Sequence, residues 1–163
     1  MMNGVGNPVI KRRGLARNTR GTSMIELALL SPLAAMLLMG LVDTSLGFQK
    51  KLSTEQVAQR IVEKATAYGT AGSDYSGLPK EAADEAAVPQ SAVTMDKWLA
   101  CDGVRQADFN GTCIADEEIS RHISIRIASA YKPMFPYGPL GKIVGAQDDG
   151  AIPFSVVSLV RIQ

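Results

Sequence analysis

The sequence predicts an α+β protein in which a long N-terminal transmembrane and stem helix packs on a small antiparallel β-sheet domain. Three observations predict it. An apolar block between Met24 and Phe48 is dense enough to cross a bilayer. After it, apolar residues recur at helical spacing as far as Tyr68. Beyond Val93 the pattern changes to the alternation of half-buried strands, with turn-rich connections between them. A chain of 163 residues has room for one small domain besides the membrane segment.

Four stretches follow in order: a basic cytoplasmic leader over residues 1–21, a transmembrane helix over 22–48, an amphipathic helical stem over 49–72 and an extracytoplasmic α+β domain over 73–163. The leader holds Lys11, Arg12, Arg13, Arg17 and Arg20 and no acid. These are five of the 17 Lys and Arg, leaving 12 against all 16 Asp and Glu in the remainder. Basic charge placed before an apolar helix, and absent in excess from the part that folds, is a topology signal and argues against a nucleic-acid partner. The C-terminal flank of the apolar block carries only Lys50, Lys51 and Arg60 nearby, so the positive-inside rule puts the N-terminus in the cytoplasm. The chain is then expected in the inner membrane as a single-pass protein with its C-terminal domain outside the cytoplasm.

The membrane helix is apolar from Leu27 to Val42 and extends from Met24 to Phe48 if Glu26 and Asp43 are tolerated near its ends. At ~1.5 Å per residue it would be roughly 37 Å long, enough for a hydrocarbon core of about 30 Å. Pro32 removes one backbone N–H and frees a carbonyl one turn earlier; the Ser31 hydroxyl is the local group that can compensate. In the stem, Leu52, Val57, Ile61, Ala65 and Tyr68 are expected on one face, with Gly69 and Gly72 as the stop.

Ser73–Leu78 reads as a loop and Pro79–Val88 as a short acidic helix begun by proline, its carboxylates a solvated face. A strand from Val93 carries Trp98 and leads into Cys101. Residues 121–131 alternate cleanly, with Ile123, Ile125, Ile127 and Tyr131 on one face and His122, Ser124, Arg126 and Ala128 on the other. A last strand is expected from Phe154 to Ile162. The loop Lys132–Tyr137 combines large apolar side chains with proline-rich backbone, which makes Phe135 and Tyr137 candidates for a partner surface or for a lid on the core.

Cys101 and Cys113 enclose Asp102-Gly103 and Asn110-Gly111, two turn-forming pairs. In an oxidising compartment they can close as a disulfide; the alternative is two unrelated thiols. One such pair and the lone His122 supply too few ligands for a metal site, and none is expected. No glycine-rich phosphate loop and no nucleophile with a plausible base stands in the chain, so neither catalysis nor a cofactor is expected. Asp116-Glu117-Glu118 and Asp148-Asp149 read as hydrated runs.

The junction between leader and helix is Arg20-Gly21-Thr22-Ser23-Met24-Ile25-Glu26, continuing Leu27-Ala28-Leu29-Leu30-Ser31-Pro32-Leu33. A glycine ends the basic leader and a carboxylate lies five positions later. This junction resembles that of prepilins of the type IV pilus superfamily, and the longer run resembles TadE-like minor pilins, or pseudopilins, of tight-adherence pili. The departure from the pattern is Leu27, where an aromatic often follows the glutamate. The resemblance implies cleavage by a prepilin peptidase between Gly21 and Thr22, an assembly role for Glu26 and Pro32, and other pilins and pilus-base proteins as partners. It further implies incorporation in the pilus and a contribution to cell adhesion.

Physical chemistry supports that arrangement independently. Cleavage would leave an ammonium at Thr22, one helical turn from the Glu26 carboxylate, within one chain or between packed neighbours. A carboxylate deep in a membrane costs about 2.5–3.5 kcal/mol on insertion scales, which a partner amine would offset. The contrasting reading of Glu26 is an interfacial side chain reaching to water. Two rival readings of the whole chain stand beside this one. Ser45-Leu46-Gly47 has the small-x-small form of a secretory cleavage site, which would release the domain at Phe48. A membrane-anchored or secreted adhesin-like module would use the Pro133–Tyr137 loop without any pilus.

Overall fold

The computed structural model describes residues 22–69, 74–135 and 138–162. In chain order these form helix α1 (Thr22–Ala67), helix α2 (Leu78–Ala86), strands β1 (Val93–Cys101), β2 (Val104–Arg105), β3 (Ile119–Tyr131) and β4 (Ile152–Arg161), with 3-10 turns at Gln90–Ala92 and Gly138–Lys142. The architecture is α+β, a long helix with a small antiparallel sheet, as the sequence predicts. The chain divides into two compact units, Met1–Met39 and Gly40–Gln163, and α1 runs through both.

In the first unit the described residues are helix alone. It is long and apolar enough to cross a membrane, and its large side chains, Met24, Leu29 and Met36 among them, are exposed. The helix continues through Pro32. The Ser31 hydroxyl donates to the Ala28 carbonyl at 3.2 Å, the acceptor that a proline at position 32 leaves without its amide.

The second unit is built on the C-terminal half of α1. Val57, Ala58, Ile61, Val62 and Ala65 form a buried stripe at helical spacing, and they meet Leu78, Ala82, Ala83 and Ala86 of α2 and Ile123, Ile125 and Ile127 of β3. Leu52 and Tyr68 are exposed, contrary to expectation. Leu52 is five residues before Val57, about 140° round the helix. Tyr68 lies just past the last helical turn, where Gly69 takes a positive φ of 82° and ends the helix.

Helix α2 starts on Leu78, one residue before the proline expected to begin it, with Pro79 second, and ends with Ala87 in the left-handed conformation, φ 53°, so that the amides of Ala87 and Val88 reach the carbonyls of Asp84 and Ala83. Its carboxylates are exposed yet bridged to α1: Glu81 and Glu85 pair with Lys64, and Glu85 with Arg60 at 3.3 Å. The acidic face is therefore a docking face for α1 as well as a hydrated one.

The sheet order is β2-β1-β3-β4 with every neighbour antiparallel. Ile123, Ile125 and Ile127 point into the core, and His122, Ser124 and Arg126 point to the other face, as the alternation predicts. Strand β2 was not anticipated. Cys101 and Val104 pair directly around Asp102-Gly103, whose φ angles are 47° and 80°, the two-residue turn that matches strand twist.

Candidate functional site

Three regions carry the residues singled out in the sequence. At the start of α1, Thr22 is the first helical residue and Glu26 is exposed one turn later. Glu26 and Pro32 thus share a helix whose surroundings are apolar and solvent-facing. Gly21 and the basic leader lie outside the described residues.

In the second region Cys101, the last residue of β1, is joined to Cys113 by a disulfide with Cα atoms 5.6 Å apart. Glu117 lies near the pair, but both sulfurs are bonded to each other. Arg121 fastens the loop they close: it is buried, and its guanidinium donates to the carbonyls of Phe109 at 3.2 Å and Gly111 at 2.9 Å. The alternation puts Arg121 on the Ile123 face, but its role is not legible in the sequence because the carbonyls that satisfy it lie 12 and 10 residues away.

The third region is the connection after β3. Met134 is exposed, Phe135 is half-buried, and Tyr137 lies outside the described residues. What holds the loop is Asp43, 1% exposed on α1. Its carboxylate accepts hydrogen bonds from the Tyr131 hydroxyl at 2.8 Å, the Met134 amide at 2.8 Å and the Phe135 amide at 3.1 Å. One turn along α1, Gly47 faces the Tyr131 ring so closely that a Cβ there would lie 3.1 Å from a ring carbon. The residue read from sequence as a charge tolerated at the end of an apolar run is the buried anchor of a loop some 90 residues away.

On the uncovered sheet face Trp98 stacks on its register partner His122, ring centroids 5.3 Å apart, and the Arg105 guanidinium lies 4.7 Å above the indole. Arg105 also grips both carboxylate oxygens of Asp96, at 2.9 and 2.8 Å. These contacts order the short β2 hairpin. His122 is thereby a packing residue of the sheet face.

Taken together, an exposed apolar helix that carries a carboxylate near its start and continues into a disulfide-bonded α+β domain defines the class: a protein with one candidate membrane anchor among the described residues. The model of the TadE-like protein family matches residues 21–62. Over its apolar helix and the following turns the chain is thus similar to TadE-like proteins, a likeness consistent with the tight-adherence pilus system. No curated protein and no solved structure matches the chain.

Proposed function

We propose that the protein is a minor pilin, or pseudopilin, that acts in assembly of a tight-adherence pilus. The observation that carries this reading is the coincidence of the family match with the helix start: residues 21–62 hold Gly21, Thr22, Glu26 and Pro32 in one stretch. The leader is inserted with its basic residues in the cytoplasm, a prepilin peptidase cuts after Gly21, and the helix from Thr22 holds the domain on the periplasmic side of the inner membrane.

The assembly step follows from the exposed helix. Large apolar residues on all sides of the first turns must be covered, by lipid at first and by neighbouring pilin helices afterwards. In that setting the Glu26 carboxylate requires a cation, and the ammonium exposed at Thr22 of the same or an adjacent subunit supplies it. Pairing would fix the axial register between subunits. The domain after residue 72 supports a minor component, since the major pilins of such systems have hardly any globular tail.

The secretory alternative is disfavoured by the place of its cleavage motif. Ser45, Leu46 and Gly47 lie inside α1, between the buried Asp43 and Thr54. N-terminal sequencing of the mature protein tests the proposal. Thr22 is the expected first residue; an intact leader or a start at Phe48 would refute it. In the same cells Gly21→Ala is expected to leave the precursor unprocessed, and Glu26→Ala to leave it processed and membrane-bound yet to lower piliation and surface attachment.

A further inference from the structure

The connection between β3 and β4 lies at the end of the sheet where Tyr131 pairs with Ile152. Helix α1 holds it there through the Asp43 carboxylate and the contact of Gly47 with Tyr131. Asp43 directly follows the apolar run that ends at Val42. The loop is therefore fixed at the level where α1 leaves its apolar stretch.

Among the described residues of this connection three large apolar side chains face solvent: Met134 at 66%, Ile143 at 79% and Val144 at 55% exposure. Ile143 and Val144 stand at the tip of a turn that backbone bonds make rigid, from Val144 and Ala146 to the Gly141 carbonyl and from Gly145 to that of Lys142. The two arms of the connection border a common cavity of about 630 Å³, lined by Met134 and Phe135 on one side and Gly141 and Lys142 on the other. Lys132 and Lys142 are exposed beside the apolar tips, the Lys142 ammonium 3.9 Å from the exposed Asp148 carboxylate.

We propose that the partner of this loop is the membrane surface: Met134, Ile143 and Val144 enter the interfacial layer of the leaflet from which α1 emerges, with Lys132 and Lys142 at the lipid phosphates. The inference rests on the reading of α1 as a membrane span. Apolar tips flanked by lysines match the interface, where the acyl boundary takes the former and the headgroups the latter. Seated there, the domain would be held against the bilayer until it is drawn into a pilus, and the Asp43 anchor would couple the loop's footing to the helix.

The test uses the full chain with Trp98 replaced by phenylalanine, reconstituted in phosphatidylglycerol-containing vesicles whose phosphatidylcholine is brominated near the headgroup end of the acyl chains. Single tryptophans are introduced as Ile143→Trp, Val104→Trp at the far end of the sheet, and Leu37→Trp within the span. Val144→Trp replaces Ile143→Trp if circular dichroism shows that the latter does not fold. Quenching at 143 that exceeds that at 104 by roughly twofold or more is expected for an interfacial side chain. Equal quenching at 143 and 104, with strong quenching at 37, would overturn the proposal while leaving the anchor intact. Absence of quenching at 37 would remove the anchor reading and this proposal together.

Discussion

Replacing Asp43 by alanine removes the acceptor of three hydrogen bonds at once, from Tyr131, Met134 and Phe135. Bonds to an ionised acceptor contribute about 1.5–3 kcal/mol each in favourable cases. They do not add, because Met134 is exposed and its freed amide can turn to water, whereas the Tyr131 hydroxyl is part-buried and loses its acceptor. The loss for Asp43→Ala is therefore expected at about 3–4 kcal/mol, within the range for breaking a buried charged network. Asp43→Asn keeps one oxygen able to accept from Tyr131 and Met134 but turns an amide NH2 towards the Phe135 N–H, and about 1–3 kcal/mol is expected.

The assay is equilibrium denaturation of the full chain in detergent micelles, followed by the fluorescence of Trp98, the sole tryptophan. Hydrogen exchange adds a local reading, with the amides of Met134 and Phe135 losing protection in both variants. A loss below about 1 kcal/mol for Asp43→Ala, with those amides still protected, would refute the claim that this carboxylate anchors the loop. Tyr131→Phe in a double-mutant cycle with Asp43→Ala separates the hydroxyl's share, and coupling near zero would assign the stability to the two amides alone.

Three further outcomes are expected. Reduction of Cys101–Cys113, whose separation is 12 residues, should lower stability by about 2–3 kcal/mol, seen as a lower denaturation midpoint with reductant present. Ala87→Gly should raise stability by about 0.5–1 kcal/mol, because the left-handed φ of 53° that ends α2 is strained for alanine and free for glycine. The Lys64 ammonium is held above its ordinary value of 10.5, first by its hydrogen bond to Glu81; a raised value means that the pair's contribution is fully present below 10.5 and fades only as pH rises through the raised value. The stability difference between Glu81→Gln and the unaltered chain should accordingly stay constant from neutral pH up to that point and shrink with added salt, both measured by the same denaturation.

Much of this fold could be read from the chain because its signals are periodic and local. Ile123, Ile125 and Ile127 alternate, and each is fully buried. Pro79 and Gly69 mark helix ends through their own backbone preferences. The defect at Pro32 and its remedy at Ser31 are neighbours, so the Ser31–Ala28 bond was foreseeable from two adjacent letters. The features that escaped are those whose partners are distant. Asp43 meets groups 88 to 92 positions later, and Arg121 meets carbonyls across the disulfide loop. A lone charge at the edge of an apolar run has the same appearance whether it faces water or is gripped by amides. Strand β2 escaped for another reason: two residues are too few to show any period.

The place of Asp43 also decides how one helix can serve two environments. From Met24 to Val42 the large apolar side chains are exposed, with Glu26 and Ser31 among them, and at ~1.5 Å per residue this run is about 28 Å long, close to the hydrocarbon thickness of a bilayer. From Thr54 onward the same helix buries a single stripe against strands and keeps charges on its other side, as a soluble core helix does. Between them stands a carboxylate that neither lipid nor an apolar core would accept alone, satisfied by a hydroxyl and two amides from the domain. The domain begins at Gly40, before the apolar letters end at Phe48, so Leu46 and Phe48 belong to the folded unit although their composition assigns them to the span. The Asp43 cluster lies at the β3–β4 end of the sheet, the same end that carries the exposed tips of Ile143 and Val144.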